Sequence, residues 1–161
     1  MKIIKYILPL ALISCARTSK SNLMEIKDFS PIEKFDSRAP VFTGNVEVQM
    51  LFNEHGKDSA LTGGKVTFSK RARSAWHSHP KGQLLVVTHG NGIVQQWGSK
   101  AIRMKAGQVV WTTPSVKHWH GATPDSKVTH FALQEKKGST NVNWLEKVSD
   151  DQYESAVKSL R

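Results

Sequence analysis

The sequence predicts an all-β fold, a sandwich or barrel of many short strands with a single short C-terminal helix. Three observations carry that expectation. Apolar and β-branched runs recur at near-regular spacing, glycine or proline turns divide them, and a helical period of apolar residues is confined to the tail.

The chain has 161 residues, 39% hydrophobic and 22% charged, which suits one domain with a real core. Its opening, MKIIKYILPLALISCARTSK, stands apart. Lys2 and Lys5 precede an apolar run from Ile7 to Ile13, and the small residues Ser14, Cys15 and Ala16 follow. This is the layout of a bacterial export signal over residues 1–16, too short to span a bilayer and with flanks suited to cleavage. Leu12-Ile13-Ser14-Cys15 resembles a lipobox, in which the cysteine becomes the lipidated first residue. Ser14-Cys15-Ala16 also satisfies ordinary small-x-small cleavage. Cys15 is the one cysteine of the chain, so no disulfide is needed and the balance favours lipidation. The expected location is the bacterial cell envelope, in the periplasm or anchored to its membrane.

Residues 17–40 are polar and broken by Pro31 and Pro40, a tether running into the domain edge, and residues 41–161 carry the domain. Its strand-like runs are VEVQMLF (46–52), KVTFSK (65–70), QLLVVTHG (83–90), GIVQQWG (92–98), AIRM (101–104), VVWTT (109–113) and VTHFALQ (128–134). HGNG (89–92) sets Asn-Gly between two of them and predicts a hairpin turn. In the tail, Ser149 and Gln152 form a capping-box pattern, and Tyr153, Ala156, Val157 and Leu160 share one helix face. That helix is expected on the outside of the barrel, packed with Trp144.

The formal net charge is +10, but lysines and arginines are scattered, so nucleic acid is not an expected partner. The charge reads as a solvated surface, with membrane contact only through the lipid anchor.

The chain has seven histidines, and five of them carry the chemistry. His55 and His89 lie in glycine turns and are expected in solvent. His77 and His79 alternate, so both rings point to one face of an extended chain, and His118 and His120 repeat the pattern. His130 sits inside an apolar run. Trp76 and Trp119 should face the opposite way, into the packing between sheets, and with Trp97 and Trp111 they read mainly as core. Five imidazoles in one barrel interior are costly unless each polar nitrogen finds a partner. A metal ion removes that cost, and imidazole suits manganese, iron, zinc, nickel or copper.

At these residues a family comes into view. GGKVTFSKRARSAWHSHPKGQLLVVTHGNG (63–92) resembles the first cupin motif, and GQVVWTTPSVKHWHGA (107–122) resembles the second, with Gly107, Pro114 and His118. The resemblance implies the cupin double-stranded β-helix, a jelly-roll barrel, with His77, His79, Gln83 and His118 as metal ligands. Ser115 departs from the motif, which has glycine after the proline. Blocks from Val41 to Tyr153 further resemble the manganese-dependent cupin hydroxynitrile lyases. That likeness implies manganese, with iron, zinc, nickel and cobalt as alternatives, two further histidines near the metal at His120 and His130, and a homo-oligomer.

Gln83, where many such sites carry a carboxylate, leaves a divalent ion with four neutral ligands and its full charge. Such an ion attracts anions and acts as a Lewis acid on a hydroxyl or carbonyl oxygen. The expected function is a lyase of the hydroxynitrile lyase type acting on a small molecule, with His120 or His130 as proton acceptor. The blander reading of both is hydrogen-bonded support for the ligands. Lys117 could steer an anion or be a solvated turn residue. The alternatives to the lyase are a cupin dioxygenase and a non-enzymatic envelope protein that captures a small anion.

Overall fold

The computed structural model describes residues 26, 28–36, 38–53 and 59–160. The export-signal segment and His55 lie outside the described residues. The strands in chain order are β1 (Glu33–Phe35), β2 (Phe42–Thr43), β3 (Val46–Asn53), β4 (Leu61–Phe68), β5 (Arg73–Ser74) and β6 (His77–Ser78). They continue with β7 (Gln83–Gln96), β8 (Ile102–Lys105), β9 (Val109–Thr112), β10 (His118–Ala122), β11 (Val128–Glu135) and β12 (Asn143–Trp144), followed by the helix α1 (Asp150–Ser159). The all-β jelly-roll barrel and its short C-terminal helix are as expected.

The strands pair in the order β1-β3-β4-β11-β7-β10-β5-β2, with β8 and β9 also on β7, and β6 between β10 and β12. The segment read as tether and domain edge contributes β1, which pairs antiparallel with β3. Alternation puts Gln83, Leu85 and Val87 inside, and the partly covered Leu84 and Val86 outside.

One expectation fails instructively. HGNG forms no hairpin, because β7 runs through it unbroken. Residues Gln83–Gly90 pair with β11, and Gly92–Gln96 pair with β10, so β7 passes from one sheet to the other. Gly90 has φ +73, and a Cβ there would stand 1.8 Å from the Lys127 carbonyl oxygen. This glycine serves a close backbone approach where the strand bends, and pairing with distant strands on both flanks overrides the local turn signal.

The barrel interior is filled by Phe42, Val46, Phe68, Leu85, Val87 and Val128, among others. Burying each larger side chain contributes about 1.5–3 kcal/mol. A second cluster lies outside the barrel, where Trp76, Ile93 and Trp119 meet Val148, Tyr153 and Ala156. The capping box forms as expected, with Ser149 Oγ accepting from the Gln152 N–H. The Tyr153 hydroxyl donates to the Ala122 carbonyl at 2.8 Å, and the buried Arg73 guanidinium lies over the Tyr153 ring while pairing with Asp150.

The tryptophans need correction. Trp76 and Trp119 do face away from the histidines, but they pack under α1 rather than between sheets. Trp144 is not with the helix; its ring contacts Phe42 and His77. Trp97 and Trp111 are exposed by 50% and 57%, so they are not core. Among the described residues, no helix is long and apolar enough to cross a membrane.

Candidate metal centre and its cavity

His77 and His118 are directly paired across β6 and β10, with ring centroids 4.3 Å apart. His79 follows β6 and enters the tight turn of Pro80, Lys81 and Gly82. Gly82 has φ +84, and a Cβ there would stand 2.7 Å from the Thr112 carbonyl oxygen, so only glycine fits. The turn delivers Gln83 as the first residue of β7, facing inward. One ring nitrogen from each of His77, His79 and His118 lies within 4.8 Å of the others, and all three residues are buried.

The tautomers follow from the backbone. His77 Nδ1 donates to the Ala75 carbonyl at 2.9 Å, His79 Nδ1 to Asn141 at 2.5 Å, and His118 Nδ1 to Val116 at 2.9 Å. A neutral imidazole has one N–H, so each Nε2 is left as a bare lone pair. The Nε2 atoms of His77 and His79 are buried and have no protein partner. His118 Nε2 lies 3.0 Å from Gln83 Oε1, which places two acceptors face to face. Converging, unsatisfied lone pairs are unfavourable in a buried site, and a cation satisfies them together. The residues present therefore fit a divalent metal, which His77, His79, His118 and Gln83 could hold.

Burial holds the imidazoles neutral. Desolvation lowers the pKa of His77 far below its ordinary value, with the neighbouring His118 adding to the effect. Desolvation likewise lowers His118, and brings His79 to about 4. Neutral rings are the form that a metal requires.

His120 and His130 form a second layer. His130 Nε2 lies 3.2 Å from His120 Nδ1, and both rings contact Phe68. His120 is on the wall of the cavity, and its ring centroid is 5.1 Å from that of His77. His130 is wholly buried behind it. Desolvation pushes His120 far down and His130 to about 4, so both are neutral near pH 7. His89 is exposed, as expected. Lys117 is turned away from the cavity, over the Trp97 ring at 3.5 Å and paired with Glu146, so it cannot steer an anion to the site.

The cavity has a volume of about 180 Å³. His77, His79, Gln83, His120, Gln134 and Asn141 supply its polar wall, and Val48, Met50, Val66, Phe68 and Ala132 make much of the rest apolar. Trp144, 41% exposed, stands at its edge. Sequence reasoning missed three supporting residues: Thr62, Gln134 and Asn141. Gln134 carried a signal, since it falls on the same strand face as His130 two alternations on. Thr62 and Asn141 carried none.

The cupin domain family matches residues 64–132. The chain is 44% identical over 131 residues to a protein of Granulicella tundricola named (R)-mandelonitrile lyase, covering 81% of this chain and 98% of that one. Among solved structures, it resembles a cupin-like protein of Thermotoga maritima, with TM-score 0.73 and 36% identity over 84% of this chain and 98% of that one. A polyketide cyclase of Streptomyces resistomycificus has TM-score 0.62 over 86% of this chain and 99% of its own, but at 14% identity it shares the fold alone. The barrel, the matched domain and the near-full-length relative agree, and the chain belongs to the cupin family.

Proposed function

We propose that the chain is a metal-dependent lyase that splits a small aromatic cyanohydrin into an aldehyde and hydrogen cyanide, or runs the reverse addition. The observation that carries the reading is a neutral His120 on the wall of a small apolar cavity shared with His77, His79 and Gln83. An apolar cavity of about 150 Å³ accommodates benzene, so about 180 Å³ leaves room for one ring with a short substituent. The name of the Granulicella relative supports the same substrate class.

A divalent ion held by His77, His79, Gln83 and His118 would supply Lewis acidity toward the substrate oxygen. Manganese is the proposed ion, with iron, zinc, nickel and cobalt as alternatives. The remaining steps fall to the chain. His120 takes the hydroxyl proton through Nε2, because its Nδ1 faces His130. As the C–O bond becomes a carbonyl, the carbon–cyanide bond breaks and its electron pair leaves with cyanide. The proton on His120 passes to cyanide, giving hydrogen cyanide. His130 orients the His120 ring and shares the transient positive charge. The apolar wall keeps water from the leaving anion, and the neutral Gln83 amide adds no charge to repel it.

The test uses protein loaded with Mn2+ and supplied with (R)-mandelonitrile. Benzaldehyde and cyanide should appear in equal amounts. His120→Ala with metal retained should lose at least about 100-fold in kcat. Oxygen uptake without cyanide release would point to the dioxygenase instead, and no turnover of any cyanohydrin would end the proposal. Export with lipidation at Cys15 and assembly into a homo-oligomer belong to the same proposal. A soluble mature chain starting at Arg17 would remove the anchor, and a monomer on sedimentation would remove the assembly.

A further inference from the structure

Thr62 precedes both histidine motifs and faces the metal centre only through other residues, yet its hydroxyl joins two separate supports of that centre. The register places Thr62 of β4 opposite Gln134 of β11, and Gln134 opposite Gln83 of β7, one row across three strands. Thr62 is wholly buried. Its hydroxyl donates to the Gln134 backbone carbonyl at 3.0 Å, a group that can only accept. With its one proton committed, Thr62 Oγ1 can only accept, and it accepts from Gln134 Nε2 at 2.9 Å.

That bond settles the rest of the row. Gln134 Oε1 is turned toward Gln83 and accepts from Gln83 Nε2 at 3.3 Å. The Gln83 amide then has one orientation left, with Oε1 toward His118 Nε2. The second support starts from the same oxygen. Asn141 Nδ2 donates to Thr62 Oγ1 at 3.4 Å, and the Asn141 backbone carbonyl accepts from His79 Nδ1.

We infer that Thr62 is a positioning residue whose single hydroxyl, through Gln134 and Asn141, holds Gln83 oxygen-inward and His79 lone-pair-inward. The inference rests on the reading of His77, His79, Gln83 and His118 as a metal centre. An amide has two nearly isosteric orientations, and only one offers an oxygen to a cation. Without the Thr62 anchor, the row can reverse end to end and present Gln83 Nε2 to the site.

The experiment titrates the full chain with Mn2+ alone against a competing chelator, and records the visible absorption spectrum after loading with Co2+. Thr62→Val keeps the shape and removes the hydroxyl, and it should weaken Mn2+ binding about 10–100-fold. Thr62→Ser should restore it, which a purely packing role would not do. Gln134→Leu interrupts the same row one step later and should weaken binding similarly, also serving if Thr62→Val does not fold. The double variant should lose no more than the worse single one, because both cut one chain of contacts. The Co2+ spectrum should change in Thr62→Val and return in Thr62→Ser. Thr62→Val binding Mn2+ as tightly as the wild type, or fully additive losses, would overturn the inference. Wild-type protein that fails to bind Mn2+ would overturn the metal-centre reading, and the inference with it.

Discussion

The indole of Trp144 lies against the imidazole of His77, with ring centroids 4.9 Å apart. The contact follows from β12 pairing with β6, which sets Trp144 directly opposite His77. A residue near the end of the barrel chain thus braces a candidate ligand and walls the cavity at once.

Replacing that wall has a specific cost. Trp144→Ala should raise KM for an aromatic cyanohydrin about tenfold while kcat changes less, as expected for a contact made equally in ground and transition states. Metal content should stay near that of the wild type, since His77 Nδ1 keeps its Ala75 carbonyl. Steady-state kinetics with metal analysis on the same samples checks this, and an equal fall in kcat would contradict it.

Gln83→Glu should move two measurements in opposite directions. A carboxylate binds a divalent ion more strongly than an amide does, so Mn2+ affinity should rise. It has no N–H for Gln134 Oε1, which lies 3.3 Å from Gln83 Nε2, so Gln134 must turn its amide and can no longer donate to Thr62 Oγ1. The added negative charge also opposes a departing anion. We expect kcat to fall by at least about tenfold; unchanged turnover would show that the neutral ligand is irrelevant to the chemistry.

Acid should destabilise the metal-free protein over a defined window. His79 and His130 have folded pKa values of about 4, lowered mainly by desolvation. Unfolded histidine titrates near 6.5. Above that value both states are neutral, and stability is at its full level. As pH falls from about 6.5 toward about 4 the unfolded chain takes up protons that the folded chain refuses, so stability falls. His130 alone should contribute a loss on the order of 3 kcal/mol, at about 1.4 kcal/mol per pH unit. Chemical denaturation of chelator-treated protein across that range measures it, and a flat profile would contradict the buried neutral rings.

Ser115 occupies left-handed backbone with φ +63, where its N–H donates to the His79 carbonyl at 2.8 Å. The cupin motif has glycine at this place, and a side chain there costs about 1 kcal/mol. Ser115→Gly should stabilise the protein by about 0.5 kcal/mol once the freer unfolded chain is counted, raising Tm by roughly 1–2 °C. A calorimetric decrease in Tm would mean that the serine hydroxyl earns its place.

The sequence made the barrel and the histidine pairs legible because both depend on alternation, a local property. His77, His79, His118, His120 and His130 converge as the alternation required. Gln134 was within reach of the same reasoning from His130. Thr62 was not, because its role arises from register across β4, β11 and β7, and register between strands so distant in sequence leaves no local trace. HGNG misled for the converse reason: a strong local signal yielded to long-range pairing. Trp144 was misplaced because a short strand, not the neighbouring helix, decides where it lies.

The double membership of β7 has one more consequence. Gln83 stands at one end of the strand in the first sheet, and its far end pairs with β10, which supplies His118 and His120 in the second. One strand therefore links the sheet that carries Gln83 to the sheet in which His77 and His118 are paired, and it brings the candidate ligands together where the two sheets meet. An ion held there would tie the two sheets together, and its loss would follow openings at the Trp144 rim or between the sheets. The rate at which a chelator strips the ion becomes a clock for those openings. A Trp144→Ala chain that runs this clock faster with unaltered global stability would identify the rim as the exit.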